Sequence, residues 1–534
     1  MIKKVYIHSL LLGSSLFFFT ACSQKNIKAI QHDKPISYTK TPKAKNTSLL
    51  KPLKTDKALN GRSAFYSLGY PSDALAARLY LIDHATTSLD VQYYIYKDDT
   101  IGNLISIHLL KAAERGVRVR ILLDDINTAG KDEKLSNLAV HPNIELRLFN
   151  PNILRDSLRN LALLFNINSL GKRMHNKSLI ADGTVAIIGG RNIGDDYYIV
   201  DTKTLFLDYD ALIIGKVVPE IARSFDIYWN SDEAKPALDV LKKTHNVTSY
   251  EEVKAYLLSE LKQFEKSTLY RTIINSKFNQ KRLQNRLIMT VADSAEFYYD
   301  PPNKVSRDTN ENKHNISQQI KADIARIKKQ AIVISPYFIP SDEMMHAFKA
   351  LRDRGVEVII VTNSLSSTDV FPVYGGYKDY IEPLLKMGVK IYELKGDSLK
   401  KLAKKKRKNK KQNPPNVSLH TKMIILDDNG LEIGSANIDP RSDKLNTELV
   451  MIIDSKKLGK EQLKDMDMIL SLKYFYQLSW GKHPYDGDDI ITDGPIWKTL
   501  ENGKMKTYYH PPKTSWFKMF GADVISLLPV KGYL

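Results

Sequence analysis

The chain has 534 residues, too many for one compact core and enough for two or three domains. Hydrophobic residues make up 43% and charged residues 26%, a globular balance that excludes a mainly disordered chain. The formal charge of +19 favours an anionic partner, either nucleic acid or an anionic membrane, without choosing between them.

The start is basic, Met1-Ile2-Lys3-Lys4, and an apolar run from Ser9 to Phe19 follows. About 15 apolar residues are too few to cross a bilayer, so the order basic, apolar, small reads as a secretion signal. Thr20-Ala21 stand directly before Cys22, the one cysteine of the chain. That pattern resembles a bacterial lipobox, which implies a signal peptide over 1–21 and an acylated Cys22. A plain cleaved signal with an incidental cysteine is the alternative. Acyl chains on Cys22 would hold the protein in the bacterial cell envelope, and Ser23 resembles a signal for the outer membrane, facing the periplasm. Residues 22–60, rich in Lys, Thr, Ser and Pro, read as a flexible tether.

The first domain is expected over 61–234. Ser72 or Asp73 can cap a helix carrying Leu75, Leu79 and Ile82. Ser88 to Tyr96 reads as a strand. A helix from Ile101 to Arg115 stops at Gly116, and Val117 to Leu123 reads as a buried strand. Residues 235–287 read as a polar helical connector. The second domain, 288–534, repeats the grammar: a strand Ala331 to Tyr337, a helix Met344 to Arg354 stopping at Gly355, and a strand Val356 to Thr362. Arg115-Gly116-Val117 and Arg354-Gly355-Val356 mark the same point in two units. Strand, helix, strand in each half predicts an α/β fold of two similar domains. Each is a mixed, mostly parallel sheet flanked by helices, with the site at their interface.

Each half holds the pattern His-x-Lys-x-x-x-x-Asp, as His175, Lys177, Asp182 and as His420, Lys422, Asp427. Alternate residues of a strand share a face, so each His and Lys project together. Asp182-Gly183 and Asp428-Asn429-Gly430 are hairpin signals, and Asp182 and Asp427 read as structural. Gly189-Gly190-Arg191-Asn192 and Gly434-Ser435-Ala436-Asn437 put an asparagine 17 positions after each histidine. Two imidazoles, two ammonium groups and two amides suit phosphodiester cleavage without a metal. A neutral histidine attacks phosphorus, a protonated one serves the leaving alkoxide, and Lys and Asn hold the other oxygens. No His/Cys/Asp cluster has metal-ligand spacing, so neither a metal nor another cofactor is expected.

The paired motifs resemble those of the phospholipase D superfamily, and within it the C-type bacterial cardiolipin synthases. Leu89 to Tyr96, Leu122 to Thr128, Arg173 to Tyr197, Thr362 to Leu365, Asp439 to Ser442 and Asn446 to Glu448 carry the likeness, as do Thr514 to Phe517 and Leu527 to Pro529. The resemblance implies His175 as nucleophile, forming a phosphohistidine, and His420 as general acid and then base, although the reverse order stays open. It implies Lys177, Lys422, Asn192 and Asn437 as phosphoryl ligands. It also implies Glu448 and Asp208 as the acids that orient the histidines, with Asp210 close enough to compete. Phosphatidylglycerol, with phosphatidylethanolamine as a second lipid, are the implied substrates at an anionic phospholipid membrane. Gly190 stands where most of the superfamily has Ser. The lipobox also departs from the C-type enzymes, and it weakens the transfer of their substrate pair. A hydrolase releasing phosphatidic acid, or a nuclease, are the competing readings; the lipid anchor argues against nucleic acid. Lys400 to Lys411, inside a basic loop over 396–415, holds nine Lys or Arg in twelve residues and suits an anionic membrane. Trp516 to Leu528 mixes aromatics with Lys, which fits an interfacial helix or ordinary core.

Overall fold

Arg118–Asp124, with Val119, Ile121, Leu122 and Leu123 in its middle, is buried along nearly its whole length and forms the middle strand of the parallel run in the first sheet. It pairs in parallel with Ser88–Tyr93 on one side and Ile144–Phe149 on the other. The helix Thr100–Glu114 makes the crossover between the first two. Asp99 caps it by accepting from Gly102 N at 3.0 Å, and Gly116, at φ 89°, turns the chain out of it. The preceding helix, Pro71–His84, starts with proline at its first turn and has no side-chain cap, so neither Ser72 nor Asp73 caps it. The Asp73 carboxylate instead accepts from Phe278 N, 205 residues away.

The computed structural model describes residues 34–43, 48–152, 171–198, 202–241, 250–307, 316–398, 415–484 and 492–527. Met1–Ser37 is one unit and Tyr38–Leu534 a second, compact one. The signal peptide, Cys22 and Lys400 to Lys411 lie outside the described residues.

The second unit is built on two ten-stranded sheets of matching plan. In the second sheet Gln330–Ile334, Glu357–Asn363 and Lys390–Leu394 run parallel. In both sheets parallel pairing is confined to such a run, with one short parallel pair at the edge of the first. The other pairs are antiparallel, among them the hairpin that follows each His-x-Lys motif. The first strands of these hairpins, Ser178–Ala181 and Met423–Leu426, pair antiparallel with Ser88–Tyr93 and Gln330–Ile334.

Three expectations change. The expected tether over 22–60 is not free throughout: Leu49 and Leu53 are buried, and Lys54–Thr55 pairs with Ile288–Met289. Ile288–Val291 belongs to the first sheet, through Ser63–Leu68, and Ser294–Tyr299 is the first strand of the second. The sheets therefore change hands at Ala292-Asp293 and not at 288. The helices Tyr250–Glu265, Thr268–Ile274 and Lys277–Leu283 pack on the first half through Leu257, Ile273 and Phe278. The second sheet also gains an antiparallel extension, Phe475–His483, Thr492–Glu501 and Lys504–Tyr508.

One small sheet joins the halves: Asn416–Leu419 runs parallel with Thr204–Leu207. Leu419 leads into His420, and Leu207 leads into Asp208.

Candidate active site

His-x-Lys is not inside a regular strand in either half. His175 to Lys177 and His420 to Lys422 are extended segments just before Ser178–Ala181 and Met423–Leu426. Each is fixed by the other half. His175 N donates to Thr447 O at 2.9 Å, and Thr447 N donates to Arg173 O at 2.8 Å. In the same way His420 N donates to Leu207 O at 2.7 Å. Each segment is also held from behind. Met174 N donates to the Asp124 carboxylate at 2.8 Å, and Leu419 N donates to Asn363 Oδ1 at 2.8 Å. Both anchors stand at the C-terminal end of the middle parallel strand of their sheet.

The side chains cross over. His175 Nδ1 lies 3.0 and 2.9 Å from the two oxygens of Glu448, and His420 Nδ1 lies 2.6 Å from Asp208 Oδ2. A carboxylate only accepts, so each Nδ1 carries the proton and each Nε2 is the nitrogen left for a substrate. Glu448 is itself held by the Ser435 and Ser442 hydroxyls, the latter at 2.9 Å, and its own N–H donates to Asp300 at 3.1 Å. Asp210, the rival of Asp208, is occupied elsewhere: Arg78 and Arg191 each reach its Oδ2 at 3.0 Å.

Lys177 and Lys422 fold back onto the carbonyls of His175 and His420, the second at 2.6 Å. All four side chains are buried. Burial is the main cause of every shift here, because it penalises the charged form. It takes His175 well below the ordinary histidine value, helped by the neighbouring Lys177 and Lys422. His420 falls to about 4 by burial and Lys422, with Asp208 opposing. Lys177 falls to about 7 and Lys422 to about 8. Near neutral pH the site thus holds two neutral imidazoles and two lysines that give up their charge readily. Aromatic rings line it: Tyr94 meets His175 edge-on at 4.9 Å, and Tyr197 meets His420 edge-on at 5.3 Å, with Phe206 stacked on Tyr197.

The two asparagines differ. Asn192 accepts from Ile95 N at 3.1 Å and donates to Tyr197 OH at 2.8 Å, so one amide hydrogen remains for a ligand. The Asn437 amide is buried, and its oxygen has no hydrogen-bond partner. Asp182 and Asp427 point away from this centre. Asp182 accepts from the backbone N–H groups of Thr86, Thr87 and Ser88, and Asp427 from those of Lys328, Lys329 and Gln330. Both serve the turn before the neighbouring strand.

The family described as "Cardiolipin synthase, PLD-like domain" matches twice, over residues 79–229 and 320–470. The chain belongs to the phospholipase D superfamily. Cardiolipin synthase C of Escherichia coli is 35% identical over 478 residues, covering 89% of this chain and 97% of that protein. An uncharacterized protein of Helicobacter pylori is 34% identical over 524 residues, covering 96% and 98%. The phosphatidylserine synthase of Haemophilus influenzae shares the fold, with a TM-score of 0.50 at 12% identity, over 78% of this chain and 90% of that one. This phospholipase D-superfamily chain is accordingly a phospholipase D-type enzyme.

The Gly190 departure from the superfamily pattern has a steric cause. A Cβ there would sit 2.3 Å from Asp208 Oδ1. Sequence reasoning missed Ser442, Tyr94, Asp124 and Asn363 as parts of this phospholipase D site. Asp124, Asn363 and Ser442 stand in the stretches that carried the resemblance, but nothing in their local pattern says what they hold. Among the described residues no group of three or more His, Cys, Asp or Glu is placed to hold a metal ion. No described helix is long and apolar enough to cross a membrane.

Proposed function

We propose that this chain is a phosphatidyltransferase of the cardiolipin synthase kind, working through a phosphohistidine at His175. The observation that carries it is the crossed pairing of His175 with Glu448 and His420 with Asp208 beside two buried lysines. His175 Nε2 attacks the phosphorus of a glycerophospholipid, the phosphorus–oxygen bond to the headgroup breaks, and His420 protonates the departing alkoxide. His420 then takes the proton from an acceptor alcohol, whose oxygen displaces His175. Lys177, Lys422, Asn192 and Asn437 hold the non-bridging oxygens.

The order of roles is the one that the family resemblance implies. Burial drives both histidines toward neutrality, as a nucleophile needs, and Asp208 opposes that fall at His420. A phosphodiester anion entering between the lysines raises the proton affinity of both histidines, and that charges the acid when substrate is present.

The proposed substrates are those that the resemblance implies: phosphatidylglycerol, with phosphatidylethanolamine as a second lipid. Acylation of Cys22 would place the chain on the cell-envelope membrane, and metabolic labelling with an alkynyl fatty acid, lost in Cys22→Ser, tests it. Lipid mass spectrometry of the protein with phosphatidylglycerol vesicles tests the activity. Cardiolipin made by the intact chain and not by His175→Ala is the expected result. Phosphatidic acid alone would mean a hydrolase, and no lipid product would overturn the reading.

A further inference from the structure

The last described helix, Trp516–Leu527, keeps its largest side chains in solvent. Trp516 is 63% exposed and Phe517 79%, with Phe520 and Val524 also exposed on the same side. The Trp516 and Phe520 rings stack at 5.4 Å with an interplanar angle of 12°. These residues are held in solvent by a well-seated opposite face. A Cβ at Gly375 would come within 2.7 Å of Ala522 O, and one at Gly521 within 3.0 Å of the Phe371 ring, so small residues let this helix press against Phe371–Lys386. Val370 and Phe371, both exposed, extend the apolar surface across to that second helix. A contiguous exposed apolar patch on a folded chain marks a binding surface.

The patch adjoins the active site. Asp369 accepts a hydrogen bond from Tyr337 OH at 2.9 Å, and its charge acts on Lys422 and Tyr197. Val370 and Phe371 follow directly in the chain. The same loop begins at Asn363, the anchor of the His420 segment.

We infer that Trp516, Phe517 and Phe520, with Val370 and Phe371, form a docking surface for an anionic phospholipid bilayer at the mouth of the active site. The chemistry fits that occupant. Stacked indole and phenyl rings partition to the level of lipid headgroups. The one acid of the helix, Asp523, is paired with Lys378, and Lys518 adds a positive charge in a chain of net charge +19. No unpaired carboxylate of the helix therefore repels anionic lipid. The inference rests on the proposed lipid substrate, because a site that takes a bilayer lipid must meet the bilayer at its mouth.

The test separates the two. The full chain is reconstituted in phosphatidylglycerol vesicles containing acyl chains brominated near the headgroup. Trp229 and Trp497 are buried and Trp480 is half-buried, so the part of the quenching that is lost in Trp516→Phe is the part that reports Trp516. Quenching of Trp516 is expected. Trp516→Ser/Phe520→Ser should lower the rate on vesicle lipid about tenfold and leave the rate on monomeric dihexanoyl phosphatidylglycerol unchanged. Unquenched Trp516, or equal effects on both substrates, overturns the inference. Quenching by a wild-type chain that turns over no lipid keeps the docking surface and removes the proposed activity.

Discussion

Gly190 and Ser435 stand at matching places beside the two orienting acids. The Ser435 hydroxyl binds Glu448, whereas Gly190 clears space for Asp208. Gly190→Ser should therefore push Asp208 off His420 and cost kcat more than the matching Ser435→Gly, which removes one of three groups holding Glu448. Steady-state kinetics of both variants, with melting temperatures as the control for folding, read the difference. Charge sets a second expectation. A histidine whose folded pKa is below its unfolded value, about 6.5, takes its proton less readily when folded. Stability is then complete above about 6.5 and lost as pH falls toward about 4, the value for His420. At about 1.4 kcal/mol per unit, His420 accounts for about 3 kcal/mol of that loss. His420→Asn should flatten the slope of unfolding free energy between those limits by that amount. The lysines act on the other side. Their charge is lost as pH rises through about 7 to 8, so kcat/KM should fall there, and Lys177→Arg should move that limb upward.

Hairpins and crossovers carry these residues. Asp182 and Asp427 adopt φ 52° and 53° and collect the same three backbone N–H groups in each half, which is a structural duty. Asp182→Asn should lower stability by about 1–3 kcal/mol through poorly satisfied N–H groups, while kcat holds. A large fall in kcat at unchanged stability would make Asp182 part of the chemistry. Much at this scale was legible, because strand, helix, glycine and strand have local signatures: the helix ends at Gly116 and Gly355, and the hairpins follow Asp182 and Asp427. What stayed hidden depends on distant partners. Leu49 and Leu53 look like tether until a strand 234 residues later gives Lys54 a neighbour. The antiparallel strands from Phe475 onward carry too much Lys and Gly to alternate cleanly. Both His-x-Lys pairs were legible because they sit two apart in one chain segment. Their orienting acids were reachable only through the resemblance, since Glu448 lies 273 residues from His175.

Across the whole molecule the site exists only where the halves meet. His175 reads its acid from the second sheet and His420 from the first, and the pair Asn416–Leu419 with Thr204–Leu207 sets the spacing. Residues 1–292 and 293–534 should each be inactive alone, and their co-expression should restore turnover, because the sheets separate at Ala292-Asp293. Activity in one half alone would contradict the crossed pairing. Two copies exchanging acids is what a symmetric dimer would do, with each subunit completing the other. In such a dimer every mutation lands twice, and both pockets stay alike. Joined in one chain they are free to diverge, and here they have: glycine with aspartate in one, serine with glutamate in the other. A single covalent link thus turns a symmetric pair of histidines into two that can specialise, one to attack and one to carry protons.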